Sequence, residues 1–325
     1  MLQVRRAPDP DPGAGEVRIR VVCAGINFAD ILARLGLYPD APKLPAVVGY
    51  EVSGVVDAVG EGADKTLLNR RVVALTSFGG YSDTVCARSA AVFLIPNAVS
   101  DEAAAAIPVT YLTASTILLH QARISNRETV LVHGAAGGVG VAAIQLCRIV
   151  GARVIGTASR PKHDYLRSLD VTPIDYRDAD WPSQVMKATD GRGVDLAMDP
   201  IGGRSFQQSY DVLAPGGRLC CFGLAAAVSG ERRKLIHTIR TVLAIPKFRP
   251  ISLMQDNRGV FGVNLGRLWG ETEMMRTQMQ TLLDYAATGQ IDPPIDSVHE
   301  FADAADAHRR IQDRKNVGKV LLKPS

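Results

Sequence analysis

The chain has 325 residues, 46% of them hydrophobic and 22% charged, with a net charge of +4. That length exceeds one ordinary hydrophobic core and predicts two domains. The small charge, without a basic stripe interleaved with aromatics, predicts no nucleic-acid partner. No run of about 18 uninterrupted apolar residues occurs. Met1 to Arg6 leads straight into Pro8, Pro10 and Pro12 and lacks the apolar core of a secretory leader, so the expected location is cytoplasmic.

In chain order, Glu16 to Cys23 alternates as a half-buried strand, and Val47 to Gly60 reads as strand, bend and strand. Arg71 to Leu75 and Ala91 to Ile95 add two more. Short strands with glycine punctuation predict a β-rich domain over roughly the first hundred residues. Asp101 is then expected to cap a helix favoured by Ala103 to Ala106. Five cysteines, Cys23, Cys86, Cys147, Cys220 and Cys221, are scattered and odd in number, which predicts reduced thiols.

Thr129 to His133 is an apolar run that feeds the turn Gly134-Ala135-Ala136-Gly137-Gly138-Val139-Gly140. Ala135, Gly137 and Gly140 stand at the three fingerprint positions of a dinucleotide site, where small residues let phosphates approach the start of a helix. The context supports the motif. Val141 to Val150 has helical apolar spacing, Gly151 is placed as a stop, and Arg153 to Ala158 reads as a second buried strand. The result is a βαβ unit.

An NAD site usually carries an acid about 20 residues past the glycines, whereas NADP calls for positive charge and hydroxyls there. No acid precedes Asp164 after the second strand, but Ser159, Arg160 and Lys162 do. These groups suit a 2′-phosphate through charge-assisted hydrogen bonds, so NADP(H) is the expected cofactor. Further strands are predicted at Val194 to Met198, at Arg218 to Phe222, and at Val317 to Leu322, the last returning to the first domain. Between them, Glu231 to Pro250 carries Arg232, Arg233, Lys234, Arg240, Lys247 and Arg249 around an apolar centre. On composition this stretch suits an anionic membrane surface.

Gly25-Ile-Asn-Phe-Ala-Asp30, Gly36-Leu-Tyr-Pro39, Gly49-Tyr-Glu-Val-Ser-Gly54, the Ala135 to Gly140 turn, Asp175-Tyr176, Met198 to Gly203 and Asn316-Val-Gly-Lys-Val320 together resemble the quinone-oxidoreductase branch of the medium-chain dehydrogenase/reductases. Within that branch, Thr157 to Ser159, Lys162-His163, Phe261 to Gly266 and Ile295 to Ser297 are most similar to vesicle amine transport protein homologues. The resemblance implies an α/β chain with a Rossmann dinucleotide-binding domain at 109–251. A GroES-like β-rich catalytic domain is implied at 1–108 and 252–325. It also implies a homodimer, and for Glu231 to Pro250 it implies the favoured reading, a dimer contact or cleft cap.

By the same resemblance, Asn27 sits beside nicotinamide and substrate, and Tyr38 lines the pocket as proton donor or oxyanion partner. Their bland alternatives are a turn residue and a packing aromatic. Thr113 resembles a cofactor-side threonine, and Tyr176 flanks the 2′-phosphate with Lys162. Ala136, Gly137, Gly138 and Val139 form the phosphate turn with Ser159 beyond it. Phe222 and Gly223 follow a strand at its carboxyl end, and Val263 and Asn264 close the site from a loop. Glu51 either serves the site or pairs with a nearby base. Zinc-dependent relatives need Cys where this chain has Asn27 and His where it has Tyr50, so no metal is expected.

The expected activity is NADPH-dependent hydride transfer to quinones or α,β-unsaturated carbonyls, whose developing oxyanion hydrogen bonds can stabilise. The alternative is a nucleotide-binding adaptor or membrane-associated protein with little turnover.

Overall fold

The computed structural model describes residues 2–38, 40–228 and 235–324. Pro39 and the Glu231 to Lys234 part of the basic segment lie outside the described residues. The strands are β1 (Glu16–Ile26), β2 (Glu51–Val59), β3 (Arg71–Leu75), β4 (Thr84–Arg88), β5 (Val92–Leu94) and β6 (Thr129–His133). They continue with β7 (Arg153–Ala158), β8 (Thr172–Asp175), β9 (Val194–Asp199), β10 (Leu213–Cys221), β11 (Gly259–Gly262), β12 (Ile295–Glu300) and β13 (Lys319–Lys323). Two compact units result: Met1–Leu112 with Leu268–Ser325, and Thr113–Arg267.

In the first unit a seven-stranded sheet runs β12-β13-β1-β2-β3-β5, with β4 also on β1. The alternation of β1 is visible in its burial: Val17, Ile19 and Val21 enter the core, while Arg18 Nε meets Asp57 Oδ1 at 2.8 Å on the other face. The returning C-terminal strand predicted from Val317 to Leu322 is β13, which pairs with β1 at Val320↔Ile26 and with β12 on its other side.

Two expectations change here. The strand–bend–strand at 47–60 is one strand, β2. Val47 to Tyr50 is laced to a neighbouring loop instead: Gly79 N–H donates to Val47 O (3.0 Å), Tyr81 N–H to Val48 O (2.9 Å) and Thr76 N–H to Tyr50 O (2.8 Å). Gly49 has φ +105°, which strand backbone does not adopt. The alanine-rich helix is capped by Ser100, whose Oγ accepts Ala103 N–H at 3.1 Å, and Asp101 becomes its first residue. The shorter side chain folds back to the third N–H, and Asp101 instead pairs with Arg71.

The second unit holds a six-stranded sheet, β11-β10-β9-β6-β7-β8, parallel at every pairing. Its strands are apolar nearly throughout because both faces are covered, and all six residues of β9 are buried. Strand order runs outward from β6 in both directions, so the topological switch lies between β6 and β9. The helix after the glycine turn spans Gly138–Val150 and ends at Gly151 in the left-handed conformation, φ 84°. Residues 252–267 lie in this unit. β11 extends the parallel sheet by pairing with β10 at Cys220↔Phe261, a pairing that the sequence division at 251 cuts off.

All five cysteines are free. Among the described residues, no helix is long and apolar enough to cross a membrane.

Gly54 in β2 has no room for a side chain: an added Cβ would stand 2.1 Å from Arg20 O and 2.8 Å from Ile19 Cγ2. Gly54→Ala therefore overpacks the β1–β2 pair. Thermal or denaturant unfolding is expected to show a loss of about 2–3 kcal/mol.

Candidate functional site

In a parallel sheet all carboxyl ends share one edge, which is where such sheets bind ligands. The residues following the six strands gather there. β6 leads into the turn Gly134 to Gly137, with Gly137, Gly138 and Val139 partly exposed. Gly137 is the N-cap of helix Gly138–Val150, and no side chain caps that helix. Its first N–H groups are thus directed outward at the positive end of the dipole. Gly140 packs the helix onto the turn, since a Cβ there would lie 2.4 Å from Gly134 O and 2.6 Å from Ala135 O. The geometry fits a pyrophosphate, with Ala136 buried beneath it.

β7 ends in Ser159 and the short turn Arg160–Lys162, and β8 ends beside it at Ala158↔Asp175, which brings Tyr176 next to Ser159. Arg177 places its guanidinium 5.7 Å from the centre of the Tyr176 ring. This cation, beyond Arg160 and Lys162, was missed in the sequence reading, which stopped at the tyrosine. Asp164 is turned outward, its side chain 96% exposed and paired with Arg167. At the other end of the edge, Phe222 N–H donates to Asp199 O, and Val263 N–H donates to Cys221 O at 3.1 Å. Phe222, Gly223, Val263 and Asn264 are therefore neighbours. Thr113 is the one cofactor-side candidate away from a strand end, buried on helix Pro108–Ser115.

A buried polar chain supports this edge. Asp199 accepts Ile201 N–H at 2.7 Å, Ser205 Oγ–H at 2.6 Å and Ser209 Oγ–H at 2.7 Å. With the Ser209 proton committed to Asp199, Ser209 Oγ accepts from His133 Nε2 (2.9 Å), and His133 Nδ1 accepts from Thr157 Oγ1 (3.0 Å). Burial pushes the His133 pKa down, so the ring is a neutral spacer immediately before the glycine turn. His133 ends a predicted strand and Asp199 follows another within the Met198 to Gly203 motif, 66 positions apart, and only the β6–β9 pairing joins them.

The first unit contains a second buried polar network. Lys319 Nζ donates to Glu51 Oε1 and, at 2.6 Å, to Asn27 Oδ1. Asn27 Nδ2 donates to Glu51 Oε1 at 2.7 Å, and Glu51 Oε2 accepts Val109 N–H at 2.7 Å. Glu51 is 0% and Lys319 3% exposed. Lysine can only donate and carboxylate can only accept, so the Asn27 amide has one possible orientation. One of its Nδ2 hydrogens has no acceptor among the described residues. Gly25 makes room for this arrangement, because a Cβ there would sit 2.4 Å from Glu51 Oε1. The sequence reading offered Glu51 a nearby base; that base is Lys319, which the sequence placed in a strand and in the Asn316 to Val320 motif without a partner.

Asp30 continues the network. Its carboxylate accepts Asn27 N–H (2.8 Å), Gly49 N–H (3.2 Å) and Tyr81 Oη–H (3.0 Å), and Tyr81 Oη lies 3.0 Å from His308 Nε2. The Tyr38 ring is edge-on to Tyr50, with ring centres 6.0 Å apart. By the resemblance, Asn27 and Tyr50 stand where zinc-dependent relatives carry ligands, and the described residues include no group of three His, Cys, Asp or Glu that could hold a metal ion. The donor set does not fit zinc.

A doubly wound parallel sheet with an uncapped glycine turn, joined in one chain to a β-rich unit, defines the class of nicotinamide-type oxidoreductases. Residues 13–97 match the alcohol dehydrogenase GroES-like domain, and residues 170–322 match the zinc-binding dehydrogenase family. The chain is 43% identical over 325 residues to the human synaptic vesicle membrane protein VAT-1 homolog, covering 99% of this chain and 82% of that protein. The Escherichia coli quinone oxidoreductase complexed with NADPH is 29% identical, with a TM-score of 0.86 over 99% of this chain and 95% of its own. The CurK enoyl reductase is 28% identical, with a TM-score of 0.84 over 99% and 94%. The chain belongs to the medium-chain dehydrogenase/reductase superfamily and is an oxidoreductase of that superfamily.

Burial pushes the Asp30 carboxyl up to about 7, against the pull of Asn27 N–H and Lys319. Burial, helped by the charge of Arg34, pushes His308 down to about 3. The two act in opposite senses. Folding favours protonated Asp30, whose stabilisation is lost as pH rises from about 4 through 7; it also favours neutral His308, whose stabilisation is lost as pH falls below about 6.5. Between pH 4 and 6.5 they nearly cancel. Asp30→Asn removes one side, so relative to the parent its unfolding free energy is expected to climb with pH by up to about 1.4 kcal/mol per unit across that window. Parallel denaturant titrations at several pH values check the sign.

Proposed function

We propose that this chain is an NADPH-dependent, zinc-independent reductase of quinones or α,β-unsaturated carbonyl compounds. The observation that carries the reading is the Asn27 amide, oriented by Lys319 and Glu51 and left with one N–H to give, at the position where metal-dependent relatives hold a zinc ligand. Bound NADPH supplies a hydride, two electrons and one proton, to the β-carbon of the acceptor or to a quinone ring.

The residues have separable tasks. Gly137, Gly138 and Val139, with Ala136 beneath them, hold the pyrophosphate at the helix start. Ser159, Lys162 and Tyr176 hold the 2′-phosphate with Arg177 beside them. Phe222, Gly223, Val263 and Asn264 border the nicotinamide side, with Thr113 as a further cofactor contact. The spare Asn27 N–H stabilises the oxygen that gains charge, and a donor of this kind is worth roughly two orders of magnitude in rate. Tyr38 or water then returns a proton to complete the hydroquinone or saturated carbonyl. Two chains form a homodimer in this reading, and the substrate is small and neutral.

One observation favours a second reading, membrane association. Helices Leu235–Leu243 and Pro250–Asp256 expose Ile236, Ile239, Leu243, Ile251 and Met254, with Leu243 at 79% and Met254 at 75%. Arg240, Lys247 and Arg249 lie on or between them, a composition that suits an anionic bilayer surface. Flotation with phosphatidylserine vesicles is expected to carry the parent upward but not Leu243→Asp/Met254→Asp; a parent that stays at the bottom removes this reading.

For the cofactor, equilibrium titration with NADPH and NADH is expected to show NADPH bound more tightly. Lys162→Ala should weaken NADPH by about tenfold and leave NADH nearly unchanged.

A further inference from the structure

The glycine turn is anchored from beneath by residues to which the cofactor reading above gives no task. On the β7 side one residue makes two bonds: Thr157 O accepts Ala135 N–H at 3.0 Å, inside the turn, and Thr157 Oγ1 donates to His133 Nδ1 at 3.0 Å, one residue before it. On the β9 side His133 Nε2 donates to Ser209 Oγ at 2.9 Å, and Ser209 donates in turn to Asp199 Oδ2 at 2.7 Å. All four residues are buried, so water does not compete for these bonds. Gly134 has φ +65° and nothing within 4 Å of where a Cβ would stand. At its first residue, therefore, the turn is held by hydrogen bonds rather than by packing.

The direction of the chain is set from one end. An ionised Asp199 only accepts, so Ser209 gives it a proton, His133 Nε2 carries a hydrogen, Nδ1 accepts, and Thr157 donates. One tautomer of the neutral ring satisfies every member. Burial pushes the His133 pKa down and keeps the ring neutral, and the Trp181 ring packs edge-on against it at 4.9 Å.

We propose that Thr157 and His133 are positioning residues for the dinucleotide: the Thr157 hydroxyl, acting through the His133 ring, fixes Gly134 and with it the N–H groups of Gly137, Gly138 and Val139 that receive the pyrophosphate. N–H groups already in place bind without first being ordered, whereas a turn released from its anchor must be ordered by the ligand. Acting only through the turn, the two residues serve the pyrophosphate that NADPH and NADH share, and not the 2′-phosphate. This inference rests on the cofactor reading above.

Two substitutions at one position separate the hydroxyl from the packing. Thr157→Val keeps the shape and removes the hydroxyl, while Thr157→Ser keeps the hydroxyl and removes a buried methyl group. In equilibrium titrations Thr157→Val is expected to weaken NADPH and NADH by the same factor, about tenfold. Thr157→Ser is expected to bind both as the parent does, although its missing methyl group lowers the melting temperature. A merely structural role would rank the variants by melting temperature instead. Ser209→Ala breaks the chain on the other side of the ring and is expected to weaken both dinucleotides likewise, which decides the matter if Thr157→Val does not fold. Parent-like affinity in Thr157→Val or in Ser209→Ala would overturn the proposal. So would a loss confined to NADPH, or an equal loss in Thr157→Ser. In each of these cases the parent still binds and the cofactor reading stands; a parent that binds neither dinucleotide removes that reading and the proposal with it.

Discussion

The buried pair between Lys319 and Glu51 is the constraint on which the first unit depends. Two full charges have been taken out of water, at 3% and 0% exposure, and such a pair is tolerable only when further hydrogen bonds hold both partners in place. The fold meets that demand from four places in the chain. β13 brings Lys319, β2 brings Glu51, the end of β1 brings Asn27, and helix Pro108–Ser115 brings the Val109 N–H. The C-terminal strand is held between β1 and β12 partly because removing Lys319 would leave a carboxylate stranded in the core. The same demand fixes the Asn27 amide in a single orientation.

The second unit uses a different device for a similar end. Its buried carboxylates among the described residues both lie on β9: Asp195, paired with Arg192, and Asp199, whose carboxylate is surrounded by two hydroxyls and two N–H groups. From Asp199 the chain of bonds runs through Ser209 and His133 to Thr157, linking β9, β6 and β7 directly beneath the glycine turn. Dinucleotide-binding geometry needs a rigid turn, because its backbone N–H groups act as fixed ligands. A neutral His133 clamped on both ring nitrogens provides that rigidity without adding charge near a phosphate.

Much of this was legible in the sequence where the signal is local. The glycine turn, its helix and the Gly151 stop sit within one stretch of chain, and the strand that follows is a continuous apolar run. The absence of an acid before Asp164 and the presence of Ser159 and Lys162 were legible for the same reason. What escaped was non-local or conformational. Lys319 and Glu51 are 268 residues apart, and a lysine beginning a strand carries no mark of burial. Ser100 displaced Asp101 as the cap through side-chain reach, a choice between adjacent good cappers that propensity does not resolve. The extension of the parallel sheet by β11 rests on four residues, Gly259–Gly262, too few to show a period.

The central claim is that an oriented amide, in place of a metal ion, supports hydride transfer from NADPH to a conjugated carbonyl. The most direct measurement follows NADPH oxidation by duroquinone in protein dialysed against a chelator, using NADPH deuterated at the transferring carbon. The account predicts sustained turnover, slowed by deuterium and unaffected by the chelator. No oxidation of NADPH, or oxidation that disappears on chelation and returns with zinc, would contradict it.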